Sequence, residues 1–210
     1  MQGARKRREV NMKRELEYFY IGDSFGGNQD WFFDPMMHIG GCAALTACDV
    51  CIYLALRKGL GRLCPFDPER LTRKEYVKFG KVMKPYLRPR AHGVNRLDIY
   101  TEGFGRYLKD MGETGLILEE FDGHVRADDG WEAVKSSLDD GFPISYLMLH
   151  HQDKAIEDFV WHWFLLVGYE EAGNRRRVKT ATYGQGLWLD FDNLWDTGFE
   201  ERGGMVLFSL

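Results

Sequence analysis

Long apolar runs are missing from this chain: no stretch of about eighteen consecutive apolar residues occurs, so no membrane-spanning helix is expected. Nor do the first residues pair a charged stub with an apolar core and a cleavage site, so no secretory signal is read and a cytoplasmic protein is expected. Internal repeats, low-complexity tracts and Pro/Ser linkers are absent too, which leaves one domain for the 210 residues. Cysteine is scarce, at four, and three of the four (Cys42, Cys48, Cys51) fall within ten residues, with Cys64 close behind. That is no disulfide framework, and reduced thiols are expected. Net positive charge is confined to the first fourteen residues. There Arg5, Lys6, Arg7, Arg8, Lys13 and Arg14 against Glu9 give about +5, so the rest carries about −9 of the net −4. A mildly acidic body lacks the clustered Lys and Arg that phosphate contacts need, so neither a nucleic acid nor a membrane is expected as a partner. Residues 1–14 read as a basic, flexible tail and 15–210 as the domain.

What is present divides in two. The first half reads as helical. From Ala43 to Lys58 the chain is apolar almost all the way round, the mark of a helix buried on most sides, with Gly59 as its stop. Thr72-Arg73-Lys74-Glu75 is a capping-box pattern opening a second helix that Pro85 should end. Leu97, Tyr100, Phe104, Tyr107, Leu108 and Met111 recur at helical spacing in a third, and Trp131, Val134 and Leu138 mark a fourth that ends at Gly141. The second half reads as strands: 143–149, 161–169, 177–183, 187–191 and 205–210, the later ones preceded by the turn signals Gly173-Asn174, Gly184 with Gly186, and Gly203-Gly204. Short connections favour an antiparallel sheet, hence an α+β domain.

A cysteine nucleophile works as a thiolate, which free amides and the dipole at a helix N-terminus favour. Cys42 occupies that place, behind Gly40 and Gly41, whose missing side chains would let a substrate backbone approach the sulfur. A base must come from elsewhere in the chain. His162, opening an apolar strand between two tryptophans that would fix its ring, is preferred over His38, His92, His124 and the His150-His151 pair, which lie in loop-like or Gly-containing stretches.

Gly-Gly-Cys-Ala-Ala before a buried helix, Gly-Phe-Pro-Ile leading a hydrophobic strand, then His-Trp-Phe-Leu-Leu-Val-Gly-Tyr together resemble a papain-like cysteine peptidase. Within that group the chain is most similar, over roughly residues 25–209, to the bacteriocin-processing (double-glycine leader) peptidases and the bacterial proteins that share their domain. The resemblance implies a helix carrying the cysteine packed on a C-terminal antiparallel sheet carrying the histidine, no cofactor, no metal, and a peptide or small amide as substrate. It assigns Cys42 as nucleophile and His162 as base. It makes Gln29 the oxyanion donor, with Asn28 the alternative, since a neutral amide N–H can stabilise developing negative charge without titrating. Where the family pattern has Asp or Asn to orient the imidazole, this chain has Thr182, with Asp190 and Asn193 further along. Threonine can accept one hydrogen bond but stabilises an imidazolium far less than a carboxylate.

Three function classes remain open at this level: a cysteine hydrolase of peptide or amide bonds, an acyltransferase in which an amine intercepts the same thioester, and a domain of this fold that binds without cleaving. Cys48-Asp49-Val50-Cys51 has a C-x-x-C spacing, but it falls inside the buried helix with no second pair, which argues against metal or redox chemistry.

Overall fold

The computed structural model describes residues 11–90 and 93–210. In chain order the elements are β1 (Met12–Glu15), β2 (Tyr20–Ile21), β3 (Ser24–Phe25), α1 (Pro35–Gly40), α2 (Cys42–Arg57), α3 (Arg73–Met83), α4 (Leu97–Asp110) and β4 (Ile117–Asp122). There follow α5 (Ala127–Asp139), β5 (Ile144–Met148), β6 (His162–Ala172), β7 (Arg175–Thr182), β8 (Gln185–Asp190), α6 (Phe191–Trp195) and β9 (Gly203–Ser209). Among the described residues one sheet runs in the order β4-β9-β5-β6-β7-β8, every neighbouring pair antiparallel. The fold is α+β.

Alternation along the strands sorts the helices onto two faces. Trp163 stacks on Tyr100 of α4 at 4.2 Å, whereas its neighbour Phe164 packs on Tyr146, which meets Trp195 of α6. Beside α4, α2 packs against β6, and its residues from Cys42 to Leu54 are all buried. Such a helix needs no polar stripe, which is why its apolar run was continuous in sequence. Thr72 and Glu75 do form a reciprocal capping box at the start of α3.

The tail boundary needs correcting. Met12 to Arg14, read as tail, belong to β1, which pairs with β6 from Met12↔Glu171 to Glu15↔Gly168, the stretch of β6 beyond the end of β5. All four β1 side chains are exposed, so the strand leaves no apolar pattern to read. Arg5 to Arg8 and His92 lie outside the described residues. No helix among the described residues is long and apolar enough to cross a membrane.

Candidate active site

Cys42 is the first residue of α2, and Gly41 ahead of it is helical in backbone with no side-chain cap, so α1 runs almost directly into α2. The glycines serve the backbone rather than a substrate: a Cβ at Gly41 would lie 2.3 Å from the Met37 carbonyl oxygen, and one at Gly40 would lie 3.1 Å from that of Arg90. Gly41→Ala is therefore expected to cost about 1–3 kcal/mol, read as a lowered urea midpoint, because the obstruction is main chain and cannot swing aside. An unchanged midpoint would contradict this account of the helix junction. Burial pushes the Cys42 thiol up, while the backbone N–H groups of Trp163, Ala43 and Cys42 itself, aimed at the sulfur, pull the other way. The Trp163 amide brings the start of β6 against the start of α2. It is the residue after His162.

His162 is 5% exposed. Its Nε2 lies 2.6 Å from the Thr182 hydroxyl at the end of β7. The ring of Tyr183 stacks face to face on the imidazole at 4.6 Å and 4°, with its hydroxyl 3.4 Å from Nδ1, and Phe164 lies beyond at 6.1 Å. Trp163 does not hold the ring as expected, since it points into the core against Tyr100, and Trp161 meets His150. Trp161 and Tyr183, flanking the His162–Thr182 contact in sequence, are the two non-glycine residues with positive φ, at 54° and 50°, among the described residues. Left-handed backbone at bulky residues costs roughly 1–3 kcal/mol and collects at functional sites. With no charged group acting on it among the described residues, His162 is pushed down by burial to about 4. Burial thus favours the neutral form of both groups.

Gln29 begins a single 3-10 turn (Gln29–Trp31), is buried, and donates from Nε2 to the His38 carbonyl oxygen at 2.5 Å. Asn28 caps that turn, its Oδ1 accepting from the Asp30 amide at 2.8 Å. Gln29, Cys42, His162, Thr182 and Tyr183 line one cavity of about 20 Å³, room for a single water-sized group; Asn28 does not line it. Residues 29, 42, 162 and 182, far apart in the chain, thus meet at one point. No family model, curated protein or solved structure matches this chain.

The remaining candidates lie elsewhere. Asp190 closes β8 and caps α6 by accepting from the Asn193 amide, and Asn193 donates to Asp153, so neither residue lines the cavity. His150 and His151 are engaged by Glu201 and the Asn193 carbonyl, and His124 by Asp122 and the Glu200 carbonyl, rather than merely solvated. Cys48 and Cys51 are fully buried free thiols, which burial pushes well above an ordinary thiol. Two cavity residues escaped the sequence reading. Tyr183 gave no signal, because its place depends on a left-handed turn. Asp49 did give one, as the carboxylate in the middle of an otherwise apolar helix.

Proposed function

We propose that this chain is a papain-like cysteine hydrolase acting on a peptide or amide bond, similar to the bacteriocin-processing peptidase domains, with Cys42 as nucleophile and His162 as general base. The observation that carries this reading is the shared cavity, in which a cysteine at a helix N-terminus, a histidine and a buried glutamine amide converge. In the tautomer with its proton on Nε2, His162 donates to the Thr182 hydroxyl, and Nδ1 becomes the acceptor for the thiol proton once the Tyr183 hydroxyl, 3.4 Å from it, moves aside. The thiolate then attacks the substrate carbonyl carbon, while the developing oxyanion takes hydrogen bonds from the Gln29 amide and the Cys42 N–H. Collapse of that intermediate expels the amine, which leaves with the proton returned by His162. Water, deprotonated by the same imidazole, then cleaves the thioester.

The cavity is small but not enclosed, and Tyr183, stacked over the imidazole, is the residue of its wall that a substrate carbonyl reaching Cys42 would displace. The second reading, a domain that binds a peptide or small amide without cleaving it, is favoured by one observation: the group on Nε2 is a neutral hydroxyl.

Alkylation by iodoacetamide at pH 7.5, mapped by mass spectrometry, tests the hydrolase. Cys42 is expected to react faster than Cys48, Cys51 and Cys64, and about tenfold or more slowly in His162→Gln, since the thiolate is the reacting species and the imidazole its proton acceptor. Labelling of Cys42 no faster than that of Cys64, or indifferent to His162, would remove the nucleophile.

A further inference from the structure

Seven residues along α2 from Cys42, two helical turns on the same face, Asp49 is 7% exposed in the wall of the same cavity. A carboxylate buried this deeply costs several kcal/mol unless donors surround it. Three do. Its Oδ1 accepts from the Tyr76 hydroxyl of α3 at 2.7 Å, and its Oδ2 accepts from the Tyr18 hydroxyl at 2.8 Å and the Gly27 amide at 3.1 Å. The Gly27 peptide is also held from its other side, because its carbonyl oxygen accepts from the Gly184 amide at 3.1 Å while the Gly184 carbonyl accepts from the Phe25 amide at 2.9 Å. Gly184 immediately follows Tyr183 and lies two residues past Thr182, and Gly27 lies two residues before Gln29.

The pair Gly26-Gly27 is what lets the loop come so close. A Cβ on Gly26 would stand 2.7 Å from Asp49 Oδ2, and one on Gly27 would stand 1.8 Å from the Tyr76 hydroxyl. We infer that Asp49 is a positioning residue: through the Gly27 peptide it ties the helix that starts at Cys42 both to the loop carrying Gln29 and to the turn carrying Thr182 and Tyr183. The oxyanion donor, the nucleophile and the group on His162 then share one hydrogen-bonded frame, although they come from three separate parts of the chain. Its consequence for chemistry rests on the hydrolase reading; its geometry does not.

Hydrogen exchange at pH 7 followed by mass spectrometry reads the frame directly. In Asp49→Asn, which keeps the shape but replaces the charge-assisted acceptor, segments 22–31 and 182–187 are expected to exchange about tenfold faster or more, while 50–57 of α2 stays as protected as before. Tyr76→Phe removes one donor without opening a void and should give the same pattern more weakly, so it serves if the asparagine variant fails to fold. Unchanged protection in the two segments, or loss spread evenly over α2 as well, would overturn the inference.

A second readout separates positioning from general damage. Affinity for a short peptide aldehyde, whose hemithioacetal needs the oxyanion donor, should fall about tenfold in Asp49→Asn while iodoacetamide labels Cys42 within about twofold of the native rate. The two falling in step would remove the positioning role. Loosened segments together with an aldehyde that binds native protein no better than Cys42→Ala would keep the frame and remove the hydrolase.

Discussion

Cys42→Ala is expected to abolish hydrolysis of short peptide amides, and His162→Gln to lower it about 10²–10⁴-fold, the range general acid–base catalysis supplies. The interest of the series lies in Thr182. Because burial holds His162 near 4, charging the imidazole inside the closed site is uphill, and the only contact on Nε2 among the described residues is a hydroxyl. Thr182→Asp would set an anion where the hydroxyl now is, raising the His162 pKa by about 1–3 units and with it the fraction of the reaction that passes through imidazolium. Thr182→Val, which keeps the shape and removes the acceptor, should instead slow turnover. An NMR titration of the His162 ring protons beside hydrolysis assays on the four variants tells the two readings apart. A rise in hydrolysis for Thr182→Asp above the native rate places the native protein as a weak hydrolase. A native protein that binds peptides, cleaves none, and gains nothing from Thr182→Asp is the non-cleaving domain.

Whether Cys42 reacts in the closed site turns on opposing effects at one sulfur. Three backbone amides favour the thiolate, yet burial outweighs them. Displacing Tyr183 would admit water and substrate dipoles to both groups at once, weakening the burial that separates their pKa values. Tyr183 has its own hydroxyl pushed up to about 12 by burial and, secondarily, by the nearby Cys42 sulfur, so it stays protonated throughout.

Elements with a buried stripe or a cap were legible in sequence; those without one were not. The largely apolar run of α2, the capping box of α3 and the β-rich runs of β5 and β6 carry their own signals because each buries side chains in a regular pattern. Edge strands β1 and β4 do not: Met12–Glu15 buries no side chain, and Ile117–Asp122 is largely exposed, so neither shows a buried alternation in sequence. At the site, Cys42 and His162 were readable since each opens an element of recognisable type. Between Asn28 and Gln29 the sequence left the choice open, because the short turn that buries one and turns the other into a cap is set by tertiary contacts. Asp49 was visible, but only as the filler of a C-x-x-C spacing, when its charge in an apolar helix was the stronger sign.

Asp49 and His162 are expected to give the fold opposite pH dependences that nearly cancel in the native protein. Burial first raises Asp49 from 3.8 to about 6, against the pull of its three donors, and burial lowers His162 from 6.5 to about 4. Between roughly pH 4 and 6 the folded state holds a proton on Asp49 that the unfolded chain has released, so this group makes stability fall as pH rises, by about 3 kcal/mol in all. Between roughly pH 6.5 and 4 the unfolded chain binds a proton at His162 that the folded state refuses, so this group makes stability fall as pH drops, again by about 3 kcal/mol. Asp49→Asn leaves the histidine unopposed and should lose stability on acidification from pH 7 to 4. His162→Gln leaves the aspartate unopposed and should gain it. Surface carboxylates lowered by ion pairs, such as Asp34 beside Lys84 and Glu15 beside Lys179 and Lys13, add the same acid loss to every variant, so the difference from native protein is the quantity to read. Urea denaturation at pH 7, 5.5 and 4 supplies it. Three parallel stability profiles would show that neither group carries the burial assigned to it, and profiles diverging in the reverse sense would show that the fold favours the charged rather than the neutral form of both.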